Sequence, residues 1–155
     1  MKKLRKFMRL NPGERWTFVQ AMILLPLTAL VLRLAGLRRC QRLFSRFIPH
    51  NSARKTERSE VALTRAFRIS HLVGQAVRHG IYPANCLQRS LALWWLLRRR
   101  GIQSELQFGT KKESGRFEAH AWIEIAGVVL NDNNDVRRIY SAFDRPIVLA
   151  KVESQ

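Results

Sequence analysis

Three residues of this 155-residue chain have the types and spacing to carry nucleophilic chemistry at sulfur: Cys86, His120 and Asp132. A thiol attacks as its thiolate, so it needs a base to take the proton and an acceptor to hold that base in one tautomer. Cys86 opens the run "CLQRSLALWWLLRRRG" directly behind Asn85, a residue suited to capping a helix. Arg98, Arg99 and Arg100 lie at its far end, before Gly101. Both ends suit the helix dipole, whose positive end favours a thiolate. Arg89, one turn along, reinforces that field. Taken alone, Cys86 would be a small apolar residue filling space; the histidine and the acid downstream supply what the chemistry needs.

His120 sits in "FEAHAWIEI", which alternates strictly and predicts a strand. Phe117, Ala119, Ala121, Ile123 and Ile125 face one way, and Glu118, His120, Trp122 and Glu124 the other. Trp122 is bulky enough to shield the imidazole from water. "AG" breaks the strand and "VVLND" continues as another, so Asp132 lies across a hairpin. A three-residue loop over 125–127, with Gly127 left-handed, would set Glu124 opposite Val128, Trp122 opposite Leu130 and His120 opposite Asp132. A two-residue loop at Ala126 and Gly127 would pair Asp132 with Ala121 and turn it away. The chemistry therefore calls for the longer loop. Asp135, three positions further on, is the weaker candidate for the orienting acid, and Asn131, Asn133 and Asn134 are further groups that could orient an imidazole.

The elements that must position these residues begin with helices. Asn11 and Pro12 open one that runs to Gly36, bent near Pro26, and "LRRCQRLFSRFIP" continues it to Pro49. Cys40 inside it is expected to be a buried, inert thiol. Residues 50–60 are a polar connector. A further helix carries Ala62, Ala66, Ile69, Val73, Ala76 and Val77 on one face and ends at Gly80, with His71 and His79 structural. The Cys86 helix is apolar nearly all round, as a central helix is. "IQSELQFG" then alternates, and "KKESGR" is expected to turn. Helices followed by a small antiparallel sheet make the fold class α+β. The division expected is a basic helical segment, 1–50, ahead of a core over 51–155, in one compact unit.

Composition narrows the class further. The chain carries 28 Lys and Arg against 11 Asp and Glu, a net charge of +17. Residues 1–80 hold 17 basic residues and 3 Glu, so the first half carries most of it. An acidic partner is implied. Nucleic acid is not expected, because the basic residues flank apolar stretches on both sides and no aromatic-basic interleaving offers base stacking. Two cysteines make no disulfide framework and fit a reducing cytoplasm. No zinc spacing and no phosphate-binding glycine loop occur, so no metal or cofactor is expected. The uncharged run 16–32 is 17 residues long, short of the ~20 needed to span a bilayer. It predicts a buried or interface helix; membrane contact is allowed by composition but not expected.

The combination "NCLQRSLAL" around Cys86, "FEAHAWIEI" around His120 and "VVLND" ending at Asp132 resembles the transglutaminase-like leader peptidases of lasso peptide biosynthesis, the B proteins. The resemblance is strong over about residues 80–135, and the basic, leucine-rich start also looks like the helical beginning of their free-standing members. It implies a papain- or transglutaminase-like core, a central helix packed on a small antiparallel sheet, with Cys86 as nucleophile, His120 as base and Asp132 as its orienting acid. The Cys86 backbone amide would be one oxyanion donor, with Asn85 and Gln88 candidates for the second. The implied partners are a precursor peptide with its leader region, a separate leader-recognition protein and an ATP-dependent lasso cyclase. The rival readings are a transglutaminase or acyltransferase of the same fold, and a non-catalytic leader- or nucleic-acid-binding module.

Overall fold

The computed structural model describes residues 11–46, 59–80, 82–113 and 116–142. Most of the expected connector at 50–60, the end at Pro49 and the tip of the 114–115 turn lie outside them. Helix α1 spans Pro12–Arg46. The Glu14 carboxylate reaches back to the Asn11 amide at 3.0 Å, closing the first turn where amides lack helical partners. Pro26 lies within the helix, and the break in helical backbone comes instead at Gly36, with φ 72° and ψ 172°. Only glycine takes that conformation without steric cost, so the chain re-aims there and brings Cys40 and Phe44 into the core.

Helix α2 (Ser59–His79) and helix α3 (Cys86–Arg99) follow. Every residue of α3 from Ser90 to Leu97 is buried. One side of it meets Ala21, Leu24 and Leu25 of α1 and Ala66, Ile69 and Val73 of α2, and another meets the sheet. Burying each leucine contributes about 2 kcal/mol, which accounts for a helix with so little polar surface at the centre of the core. Trp95 Nε1 donates to the Phe44 carbonyl at 3.2 Å, and Arg100 donates to Thr17 and Gln20, tying both ends of α1 to α3.

The sheet contains β1 (Glu105–Glu113), β2 (Arg116–Ile125), β3 (Val128–Val129) and β4 (Ser141–Ala142), in the antiparallel order β3-β2-β1-β4. A one-turn helix, α4 (Val136–Ile139), precedes β4. Lys111, Lys112 and Glu113 pair with Glu118, Phe117 and Arg116, so "KKE" extends the strand rather than forming the expected turn. Register overrides composition here, because each residue added to the ladder satisfies backbone groups a loop would leave to water. Leu106, Ala121 and Ile123 face the helices, while Trp122, Val129, Val136 and Tyr140 form a second cluster on the opposite side.

The β2–β3 loop differs from expectation. Ile125 pairs with Val128 and Glu124 with Val129, so the loop has two residues, Ala126 (φ 47°) and Gly127 (φ 83°). Two left-handed residues make the turn whose twist matches that of the flanking strands, and this outweighs a cost of about 1–2 kcal/mol at Ala126.

The first part of α1, Pro12–Cys40, is 29 residues with mean hydropathy reaching 2.0, long and apolar enough by those measures to cross a membrane. One face of it packs in the core, and the other exposes Trp16, Ile23, Leu27, Leu30 and Leu34, the last 74% accessible.

Glu124 anchors the second cluster. It is 2% exposed and accepts Trp122 Nε1 at 2.6 Å and Arg137 Nε at 2.7 Å. Burial raises its pKa, but the Arg137 and Trp122 hydrogen bonds and the Arg137 charge together hold it below the usual glutamate value. With the folded value below the unfolded one, the carboxylate stabilises the fold above about pH 4.3 and loses that contribution as pH falls through its folded value. Glu124→Gln is expected to cost about 1–3 kcal/mol at neutral pH. In urea denaturation followed by circular dichroism, the gap to wild type should narrow as pH drops toward 3. A gap independent of pH would show that the charge is not what matters.

Candidate active site

His120 projects from β2 on the side away from the helical core. Its Nε2 lies 2.6 Å from Asp132 Oδ2. A carboxylate only accepts, so the neutral imidazole carries its proton on Nε2 and leaves Nδ1 bare to act as a base. The ring stacks on Tyr140 with centroids 4.8 Å apart and planes 20° apart, and lies 6.2 Å from Trp122. Trp122 is fully buried and commits its indole N–H to Glu124, so it walls the site without bonding the imidazole.

Gly109 makes this stack fit. It stands opposite His120 in the β1–β2 ladder, where a Cβ would meet Tyr140 Cβ at 2.8 Å and Trp122 Cη2 at 3.0 Å. Tyr140 is fixed from outside by its hydroxyl, which donates to Glu118 at 2.8 Å, and Lys111 pairs with the same carboxylate at 3.1 Å. That hydrogen bond raises the Tyr140 pKa, with burial adding to it, and lowers that of Glu118, where Lys111 helps.

Asp132 reaches His120 despite the two-residue loop. The ladder closes with Leu130 N donating to the Ile123 carbonyl. The next bond is different: Ile123 N donates to the Asn131 side chain at 2.7 Å. By substituting a side-chain oxygen for the backbone, Asn131 lets the chain leave the sheet before Asp132 would oppose Ala121. Asp132 Oδ1 then accepts the Asn133 amide at 2.8 Å, and Arg89 Nη2 lies 3.5 Å from Oδ2.

Arg89, one turn along from Cys86, is engaged by the acid's loop. Its Nη2 donates to the Asn131 carbonyl at 2.7 Å and its charge faces Asp132, so it holds the acid and its loop. Asn85 and Gln88, the oxyanion candidates, form a reciprocal capping box: Gln88 N donates to Asn85 Oδ1 at 2.9 Å, and Asn85 N to Gln88 Oε1 at 3.0 Å. Their oxygens are taken by the helix start, which leaves their side-chain amide N–H groups as the donors an oxyanion would need. Asp135 precedes α4 and pairs with Arg138 at 3.8 Å, and Asn133 and Asn134 are exposed, so none of them supports the imidazole.

Cys86 is the first residue of α3 and is half-buried. Arg89 and Ser90, three and four residues on, share its helix face. Ser90 Oγ donates to the Ala121 carbonyl at 2.9 Å, and Arg89 meets Asn131 and Asp132, so this face is turned toward the strand of His120 and the acid's loop. Among the described residues no hydrogen bond joins the thiol to the imidazole. Also among them, no group of His, Cys, Asp and Glu has the arrangement to hold a metal ion. Ser90, Tyr140 and Gly109 are not singled out by the sequence, and Asn131, a candidate to orient the imidazole, serves the Ile123 amide instead. Gly109 alone carried a signal, an isolated glycine within a strand pattern marking a close approach.

Residues 24–143 match the profile of the Transglutaminase-like superfamily. The chain belongs to that superfamily. Its members commonly work as cysteine proteases or acyltransferases, and the α+β architecture agrees with the match. A segment of 57 residues is 35% identical to the Microcin J25-processing protein McjB of Escherichia coli, covering 37% of this superfamily member and 26% of that relative. The match thus spans about a quarter of the relative's length. No solved structure matches the chain.

The two thiols should separate chemically. Cys40 is fully buried and desolvation pushes its pKa up to about 11. Iodoacetamide is expected to add once to the native protein, at Cys86, and twice in guanidinium, read by intact mass and peptide mapping. Equal labelling of both in native protein would contradict the placement of Cys40.

Proposed function

We propose that the chain is a cysteine peptidase that removes the leader from a lasso peptide precursor, with Cys86, His120 and Asp132 as its catalytic residues. The observation that carries this reading is the 2.6 Å His120–Asp132 contact beside a helix that opens on Cys86. His120 Nδ1 takes the thiol proton, and Cys86 Sγ attacks the carbonyl at the leader–core junction. The developing oxyanion is met by the Cys86 backbone N–H, which the first turn of α3 leaves without a helical partner. The imidazolium protonates the leaving amine, and water then hydrolyses the thioester, returning its proton through His120. Asp132 keeps Nε2 protonated throughout, and Tyr140 and Trp122 hold the ring plane. The name of the Escherichia coli relative, a microcin-processing protein, supports the substrate class. On this reading the partners are the precursor, a separate leader-recognition protein and an ATP-dependent cyclase that consumes the freed core, all in the reducing cytoplasm where both thiols stay free.

Mass spectrometry of a leader–core peptide incubated with the protein and its recognition partner tests this. Cleavage at one junction, abolished by Cys86→Ala and slowed about a hundredfold or more by Asp132→Asn, is expected. Equal total loss in both variants would give Asp132 a different role, and an amine adduct in place of the hydrolysed acid would make the protein an acyltransferase.

The exposed apolar stripe of α1 is proposed as the seat of the recognition protein. Deleting α1 cannot test this, because the helix supplies Ala21, Leu24, Leu25, Cys40 and Phe44 to the core. Ile23→Glu with Leu30→Glu changes only the exposed side. The double variant should keep its thermal melt and lose partner-dependent cleavage. Retained stimulation by the partner, or loss of binding to anionic vesicles instead, would reassign the stripe.

A further inference from the structure

At the opposite end of α3 from Cys86 lies an open cavity of about 380 Å³, lined by Arg65, Arg68 and Arg100 together with Glu14, Trp16 and Ile69. Arg65 and Arg68 stand three residues apart on one face of α2, while Arg100 arrives from just beyond α3. Arg100 is held rigidly: Nη1 donates to the Leu96 carbonyl at 3.0 Å, and Nη2 to Thr17 Oγ1 at 2.8 Å and Gln20 Oε1 at 3.1 Å. All three acceptors are neutral, so these bonds orient the guanidinium without neutralising it. Its pKa is lowered, first by burial and then by the charges of Arg99 and Arg65. A half-buried cation set among other cations is stabilised by an anion placed beside it. Among the described residues of the lining Glu14 is the one acid, and its Oε2 accepts the Asn11 amide.

We infer that this cavity binds the carboxylates of an acidic peptide segment. Three guanidiniums around one opening make a positive surround for carboxylates, and the apolar wall of Trp16 and Ile69 suits the aliphatic stem of a glutamate better than bare phosphate. The volume admits one or two side chains. In taking that segment from the peptide substrate, the inference rests on the peptidase reading. Fourteen helical residues separate the two ends of α3, about 21 Å at ~1.5 Å each. At about 3.3 Å per extended residue, the acidic segment lies at least about six residues from the scissile bond.

The test uses the full chain carrying Cys86→Ala and a fluorescein-labelled peptide with four glutamates, compared with its glutamine counterpart by anisotropy. The glutamate peptide should bind at least about tenfold tighter, and Arg65→Gln with Arg68→Gln should remove that difference. Arg38→Gln with Arg39→Gln, an equal change of charge elsewhere, should leave it intact. Equal affinity for the two peptides, equal loss in both double variants, or binding of inorganic phosphate but not of the peptide would each overturn the inference. In the cleavage-competent protein, Arg65→Gln with Arg68→Gln should raise KM at least about tenfold with kcat unchanged. Cleavage with unchanged KM sinks the cavity assignment and leaves the peptidase standing. Selective binding without any cleavage sinks the peptidase and leaves an acidic-peptide site.

Discussion

The Ser90 hydroxyl is the contact on which the arrangement depends. It is fully buried, donates to the Ala121 carbonyl and accepts Asn131 Nδ2 at 2.8 Å. Asn131 in turn accepts the Ile123 amide, and its carbonyl accepts Arg89. One hydroxyl and one amide therefore fix α3 against β2 and the end of the hairpin at once. In a dry interface each of these groups would cost about 1–3 kcal/mol if left unpaired, so the network permits a single register between helix and sheet. Helix position along its axis sets where Cys86 stands, and the hairpin end sets where Asp132 stands. Apolar packing alone would tolerate sliding; this polar clasp does not.

The sheet separates two tasks. Its helix-facing side buries Leu106, Ala121 and Ile123 and contributes stability. The other side holds His120 between aromatic rings over a small cluster anchored by Glu124. Since neighbouring residues of a strand alternate between faces, His120 and Trp122 share this side while Ala121, between them, grips the helix. The imidazole is thus kept on rigid backbone whose neighbours are locked from behind, which limits its motion relative to Asp132.

Much of this was legible in the sequence where a local rule decides the outcome. The Asn85 cap, the all-round apolar α3 and the alternation of β2 each follow from propensity or periodicity. What was not legible depended on competition between distant parts. The loop at Ala126 looked too short for Asp132 to reach His120, because ladder geometry was carried past the point where it stops. Nothing local in "LND" shows that Asn131 would take a backbone acceptor's place. Likewise, Lys111 and Lys112 look like turn residues until Glu118 and Phe117 pair with them. Tyr140 enters the site only because Gly109 leaves room, a relation between residues 31 positions apart.

The charge of +17 also divides once the fold is known. Arg98 lies over the Trp94 ring and Arg99 over Trp95, at 5.8 and 5.0 Å, covering indoles that the core leaves at its edge. Arg137 serves Glu124, and Arg89 serves Asp132. These four side chains are engaged by the fold itself, through cation–π contact or a fixed acid, and most gain more from packing their stems and planes than from long-range field. Arg100 differs from them, because its bonds end on neutral oxygens and its nearest charged neighbours are cations. A high net charge therefore does not by itself imply a diffuse polyanion surface. Arg100, whose own bonds end on neutral oxygens, is the one that points to where an anionic group would lower the energy of the molecule.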